Sequence, residues 1–586
     1  FDVGSPTLGS ATWTRVETEL EAYADAWAAE HRDACEATEV RHEQSPALMD
    51  RRMQCLDGGL RSLGALLRTF EAADTTAVHK ADAAVDALPR LDRCHDAERL
   101  EAAFAPPDDP EVVRAVEALQ VVMAEARAEA HTGHYDRARA VVERIVGEVE
   151  ALGYAPLSAE HALAVGEFVS LDGDYVEGEK LLREALVRSR RLRVQRWVSE
   201  AELLLTYVLF KRERYDDALN LADLALADAE HDADPFRLAR VLERRGLILT
   251  KLGRHSAAVG DLLRAVGDLK AAGADSLTLA RVRASLGSSY YWSGDPARAG
   301  VEHQQALTIL RERMGRHPDV AASLSNLAMF QHDGGEMAAA LASTEEALSI
   351  ARETLGPRHP KTATYLENKS SILGSMGEDD AALEALEEVL ELRIERLGPR
   401  SSAVAQVYNN IGVTHYTSGR MQQALDNFQR SLEIREEVLG ERSPDTLLSL
   451  SNVAALLAEM GRLDESAPLT ERAASATVAA LGDDHPDSIA ARTNVVRLRL
   501  DQKRVADARA VADVVLASAQ RALPEVHPLW STVWRTLAFV SSKEGQLDEA
   551  VTAHEKELAA ATAVGMAYEI DNARKSLAEA REAAAE

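Results

Sequence analysis

The string HTGHYDRA at residues 131–138 decides how the rest of the chain is read. Stepping forward from its Gly133, equivalent positions fall at Gly173, Glu213, Gly253, Gly294, Gly335, Gly377, Gly419, Gly461, Lys503 and Gly545, 40 to 42 residues apart. Five residues after each stands a small side chain: Ala138, Gly178, Ala218, Ala258, Ala299, Ala340, Ala382, Ala424, Ser466, Ala508 and Ala550. Seven residues before each stands another, from Ala126 and Gly166 to Gly412, Ala454 and Ala538, with Val496 the exception. Small side chains let two backbones approach, and a glycine between them suits the left-handed conformation that ends a helix. Each unit therefore reads as an antiparallel helix pair, and eleven units on one grid predict an array whose core grows in one dimension.

Composition agrees with this. At 586 residues the chain is too long for a single core, 46% of it is hydrophobic and only 5% aromatic, and Ala, Leu, Glu and Arg dominate, so helix is expected almost throughout. The formal charge of −30 repels nucleic-acid phosphates and anionic membranes, and favours a basic or neutral protein partner. No apolar run is long enough to span a bilayer and no charged-then-apolar signal opens the chain, so direct membrane insertion is not expected. Its start at Phe1 suggests a processed protein or an excised piece of a longer one.

The grid resembles the tetratricopeptide repeat in its small residue of the first helix, its turn glycine and its alanine of the second helix, over residues 111–565. The linkers LGPRHPKTA at 355–363, LGPRSSAVA at 397–405, LGERSPDTL at 439–447 and LGDDHPDSI at 481–489 look like the kinesin-light-chain variety of that repeat. The resemblance implies an all-α, right-handed superhelical solenoid, with a capping helix over 566–586. In each linker the glycine stops one helix, and Pro318, Pro360, Pro444, Pro486 and Pro528 suit the first turn of the next, with Ser402 in the unit that lacks proline. His317, His359, His485 and His527 precede those prolines. Lying a whole repeat apart, they cannot share a metal with bonds of about 2 Å, and they read as helix-start residues. No metal or cofactor is expected.

An asparagine recurs at Asn326, Asn368, Asn410, Asn452 and Asn494, and Thr536 continues the row. In tetratricopeptide proteins this position faces the concave groove, and the resemblance makes these side chains a ladder of amides able to hold the backbone of an extended peptide. The other reading is that each amide bonds the neighbouring repeat and sets the stacking angle. Gln406, Asn409, Thr364, Glu367, Arg497 and Arg535 join the lining by the same carry-over, which makes it polar and nearly neutral. Only Arg497 and Arg535 could clamp a terminal carboxylate as chaperone-binding relatives do, so an acidic chaperone tail is not the expected partner. Arg188, Arg190, Arg191, Arg193 and Arg196 run against the overall charge, either as an anion-docking patch or as a solvated face paired to acids.

No catalytic residue is identified. His31-Arg32-Asp33 spells a kinase catalytic-loop triplet, but no asparagine, DFG or glycine-rich loop accompanies it; GxSxG, Walker and HExxH patterns are also missing.

Residues 1–110 form a separate segment. Trp13, Val16, Leu20, Tyr23 and Trp27 stripe one helix over 11–40, Ser45-Pro46 starts a second, a third spans 75–88, and residues 106–110 read as a hinge. The three cysteines, Cys35, Cys55 and Cys94, all lie here, and they are either reduced or joined as one disulfide in any of three pairings. Zinc is not expected, since only Cys94-His95 puts two ligand types together and sequence neighbours on a helix diverge. The stretch from Trp13 to Leu60 closely resembles the segment that follows the kinase domain in myxobacterial-type serine/threonine protein kinases, which also end in tetratricopeptide arrays. That resemblance implies the non-catalytic regulatory or sensory arm of a bacterial kinase, lying outside the cytoplasm beyond a membrane-spanning helix, and in that location a Cys35–Cys55 disulfide. The competing reading is a helical-repeat sensor of a small molecule or oligopeptide.

Overall fold

The computed structural model describes residues 6–97, 100, 107, 109–232, 234–274, 277–564 and 567–585, and among them there is no strand. They divide into two compact units, Phe1–Asn368 and Lys369–Glu586, with the boundary inside helix Pro360–Ser375. The first unit opens with helices α1 (Pro6–Glu39), α2 (Pro46–Glu71) and α3 (Thr75–Asp86) and a 3-10 turn at Leu91–His95. Helix pairs follow, from Pro110–His131 with Tyr135–Arg144 to Pro318–Asp333 with Met337–Thr354. The second unit continues the pairing to Leu529–Lys543 with Leu547–Val564, and Ala567–Ala585 closes it. The chain is a tetratricopeptide-type solenoid of consecutive helix pairs.

The grid positions account for the pairing. All eleven turn residues have positive φ, from 59° at Glu213 to 103° at Gly173. Glu213 and Lys503 take that conformation with a Cβ, at a cost of about 1 kcal/mol each, so the turn and not the glycine is the invariant. Ala138, Ala218, Ala258, Ala340, Ala382 and Ala424 are wholly buried. A Cβ on Gly412 would stand 2.6 Å from the Phe428 ring, and one on Gly246 2.8 Å from Leu262, so the small residue of the first helix is demanded by the side chain it faces on the second.

The histidines before the prolines are helix caps. Nδ1 of His317 accepts from the Asp319 amide at 3.1 Å; His359, His485 and His527 repeat the bond to Lys361, Asp487 and Leu529 at 3.2 Å. Proline at the first helical position has no N–H, so the cap serves the amide after it. In the unit without proline, Ser401 Oγ accepts from Val404 instead.

In the N-terminal segment, Val16, Leu20, Leu63, Leu66, Phe70, Ala81 and Val85 form a core that extends onto Ala124 and Ala128 of the first repeat. Ser45 caps α2 with Pro46 in its first turn, as the sequence indicates. Residues 106 and 108 of the expected hinge at 106–110 lie outside the described residues; its Asp109 caps helix Pro110–His131. The expected Cys35–Cys55 disulfide is corrected: Cys55 is joined to Cys94, with Cα atoms 5.6 Å apart, and Cys35 is free. Hairpin register is the reason. Trp27 Nε1 donates to the Leu56 carbonyl at 2.8 Å, which puts Cys35 opposite the region of Leu48, about two turns or roughly 10 Å along the axis from Cys55.

Candidate functional site

Within the second unit, the first helices of successive repeats bring part of the expected groove lining together. Asn452 Nδ2 donates to Asn409 Oδ1 at 3.0 Å, and Gln406 Nε2 donates to Asn410 Oδ1 at 2.9 Å. Behind them the buried Arg435 guanidinium donates to Gln406 Oε1 at 2.5 Å, to the Asp445 carbonyl at 2.9 Å and to Ser449 Oγ at 2.8 Å. Burial pulls the Arg435 pKa down, and these three acceptors are what hold the guanidinium in place. Gln406 is thereby fixed from the core and aims its own amide along the helix at Asn410.

Asn494 and Arg497 differ from these. Neither makes a hydrogen bond among the described residues, and both line a narrow cleft between helices Pro444–Glu459, Leu463–Leu481 and Pro486–Asp501, walled by the small residues Ser451, Ala455, Ala458, Ser466, Ala473 and Ala491. Val413 and Leu448, 43% and 54% exposed, occupy the grid positions of Arg497 two repeats earlier and of Gln406 one repeat later. The face therefore offers amides, one unpaired guanidinium and exposed aliphatic side chains, a mixture suited to a main chain with apolar side groups.

Arg535 is not available in the same way: its Nε donates to Glu557 at 2.6 Å and its second arm pairs with Glu569 of the closing helix. Thr536 is turned onto the Thr532 carbonyl at 2.8 Å.

In the first unit, Asn326 is exposed and has no bond among the described residues, whereas Asn368 Nδ2 donates to Ser325 Oγ of the preceding repeat at 2.9 Å. Thr364 bonds the Pro360 carbonyl at 3.3 Å, and Glu367 is half-buried. Asn368–Ser325 and Asn452–Asn409 are the same link, from one first helix to the one before it. Two of the amides thus set repeat stacking as well as lining a face.

The early repeats make that link with charges. Arg127 pairs with Glu160 at 2.8 Å, Arg240 with Glu200 at 2.9 Å and Arg281 with Glu243 at 2.9 Å, each between consecutive first helices. The sequence reading missed these pairs because it followed asparagine; the signal was present in the offsets, since Glu160, Glu200, Arg240 and Arg281 all lie thirteen residues before a turn. On the same face, burial and the neighbouring Glu200 push the Glu167 carboxyl up to about 7. The Arg244 guanidinium lies 4.8 Å from the centre of the Tyr207 ring.

The arginine run is partly neutralised. Arg190 pairs at 2.7 Å with Glu202, a buried carboxylate whose pKa burial raises, and Arg188 donates to Ser158 at 3.3 Å. Arg193 takes the left-handed cap of its helix, Arg191 is exposed, and the side chain of Arg196 lies outside the described residues.

Glu30, Asp33 and His95 come within 4.8 Å of one another. Arg52 lies among them, reaching Asp33 at 2.8 Å, His95 at 3.1 Å and Glu30 at 3.5 Å, and Arg41 reaches Asp33 at 2.7 Å, so the cluster is a closed ion network. Asp33 of the kinase-like triplet belongs to it, and the hydrogen bond from Arg52 holds its carboxyl below the usual range. Among the described residues no helix is long and apolar enough to cross a membrane.

Residues 319–395 and 403–476 match the tetratricopeptide repeat family. No curated protein matches the chain. Among solved structures, the nearly identical repeats assigned to a kinesin light chain of Podosopora anserina are 20% identical, covering 36% of this chain and 99% of that one with a TM-score of 0.33. A tetratricopeptide repeat protein from Parabacteroides merdae is 20% identical over 52% of this chain and 98% of its own, with a TM-score of 0.37. The apo form of the quorum sensor NprR from B. thuringiensis is 10% identical over 61% and 99%, with a TM-score of 0.43.

Proposed function

We propose that this tetratricopeptide-repeat protein is a recognition scaffold, holding an extended segment of a partner protein on the face formed by helices Ser402–Thr417, Pro444–Glu459 and Pro486–Asp501. The observation that carries the reading is the unspent polar pair Asn494 and Arg497 lining the cleft, on the same repeat grid as the fixed amides Gln406, Asn410 and Asn452 and the exposed Val413 and Leu448. Binding is shared over several weak contacts, and charge selectivity rests on Arg497, which favours an acidic group at one place in an otherwise neutral segment.

Resemblance of residues 11 to about 100 to the post-kinase segment of bacterial serine/threonine kinases supports a finer version, in which the scaffold is the sensory or regulatory arm of such a kinase and lies outside the cytoplasm. A second reading has its own observation. Glu167 and Arg244, an acid and a cation on first helices of the first unit, have no ion pair among the described residues, an arrangement suited to a small zwitterion or oligopeptide.

Selecting a random peptide library against the full chain, then measuring the selected peptides on Asn494→Ala/Arg497→Ala and on Glu167→Gln/Arg244→Ala, tests both. Loss of about tenfold or more in affinity on the first variant supports the scaffold face. Unchanged affinity on the first with loss on the second moves recognition to the first unit.

A further inference from the structure

The N-terminal segment straps the first unit together. Near its start, α2 meets the first repeat through Arg61 to Gln120 at 3.3 Å and Arg68 to Glu125 at 3.1 Å, and Asp74 before α3 pairs with His134 at 2.9 Å. Far along the chain, α1 places Glu19 on Arg313 at 2.9 Å, and the His79 carbonyl of α3 accepts from His317 Nε2 at 3.1 Å. Between these two ends lies the 3-10 turn Leu91–His95. Its Arg93 reaches Asp234 at 2.7 Å, and the Arg90 guanidinium sits 4.0 Å from the centre of the Phe236 ring. Asp234 is the cap of helix Pro235–Lys251, accepting from the amides of Phe236 and Arg237. One five-residue turn is thus clamped on a helix start of the fourth repeat, and such a turn has little stability of its own. Its covalent tie to the rest of the segment is the Cys55–Cys94 disulfide, set among Leu56, Leu91, Tyr23, Trp27 and Met53; beside it are only non-covalent ties, His95 to Glu30 at 2.6 Å and to Arg52 at 3.1 Å, and the Tyr23 hydroxyl donating to the Pro89 carbonyl at 2.8 Å.

We propose that Cys55–Cys94 is the catch of a redox-operated clasp: a dithiol reductant opens it, the turn leaves α2, and Arg90 and Arg93 release the start of helix Pro235–Lys251. Cys94 is 2% exposed and Cys55 is half-buried, so the incoming thiolate attacks Cys55 Sγ and Cys94 departs as thiolate. The reductant's second thiol resolves the mixed disulfide. Two electrons and two protons pass to Cys55 and Cys94, and the reductant leaves as its own disulfide. Cys35, about two turns away along the hairpin, takes no part. Opening turns a strapped first unit into one whose fourth repeat is free of the segment, without altering any residue of the second unit.

The test is hydrogen exchange of the full chain carrying Cys35→Ser, oxidised and after dithiothreitol, with thiols counted by alkylation and mass. Reduction is expected to accelerate exchange at residues 91–96 and in the first turn of helix Pro235–Lys251 by about tenfold or more, leaving the second unit unchanged. Arg93→Glu, with the disulfide intact, is expected to accelerate exchange at that helix start alone. A reduced chain that keeps its protection there, a disulfide that dithiothreitol cannot open in the native chain, or an Arg93→Glu chain with undisturbed exchange overturns the proposal.

Discussion

Replacing Asn452 and Asn494 one at a time by alanine separates the two roles their shared grid position can take. Asn452 gives a hydrogen bond at 3.0 Å to Asn409, whose side chain is 8% exposed. Removing it loses one net hydrogen bond, about 1 kcal/mol, and leaves the Asn409 oxygen short of a partner, for a total of roughly 1–2 kcal/mol. Asn494 has no bond to lose, and its replacement is expected to stay within about 0.5 kcal/mol. Repeats couple mainly to their neighbours, so the loss from Asn452→Ala belongs to helices Ser402–Thr417 and Pro444–Glu459 and not to Leu529–Lys543. Native-state hydrogen exchange, which reads opening free energies helix by helix, is the assay. Equal effects of the two substitutions, or an Asn452→Ala loss spread evenly over the array, would refute the stacking-link argument.

Three further outcomes are expected. Gly412→Ala puts a Cβ 2.6 Å from the buried Phe428 ring and should lower stability by about 1–3 kcal/mol, checked by urea unfolding; a silent substitution would mean that the ring shifts freely. Lys503→Gly relieves a side chain at φ 62° and should raise the thermal midpoint slightly, the gain offset in part by the added freedom of the unfolded chain. Burial presses His303 down to about 4 from an ordinary value near 6.5, so the folded chain resists a proton the unfolded chain accepts. Its contribution is intact above about pH 6.5 and falls as pH drops toward about 4, by on the order of 3 kcal/mol. His303→Leu, which places against Gly287 the side chain that Leu262 offers Gly246, should flatten urea midpoints measured across that interval.

The repeat grid was legible because its steric demands are local. A left-handed turn and a close helix crossing each require a particular residue at a fixed offset, and even Glu213 and Lys503 obey the turn. The histidine caps were legible as helix starts for the same reason, proline having displaced the first amide. The lining was only half legible. Which way an amide spends its bonds depends on the partner one helix back, so Asn452 and Asn368 could not be told from Asn494 and Asn326 by sequence. Arg535 was assigned to the groove without sight of Glu569, which the closing helix brings to it. The disulfide failed on register: neither the hairpin offset nor the return of Cys94 against α2 is written in the spacing of three cysteines.

The most direct test of recognition on the second unit's face is a photo-crosslinking residue placed at Asn494, compared with one at the exposed Asp513 on helix Val505–Ala522, each challenged with the library-selected peptide. The account predicts crosslinks from position 494, competed by unlabelled peptide, and none from 513. Crosslinking from 513, or none from 494 while the peptide is bound, would contradict it.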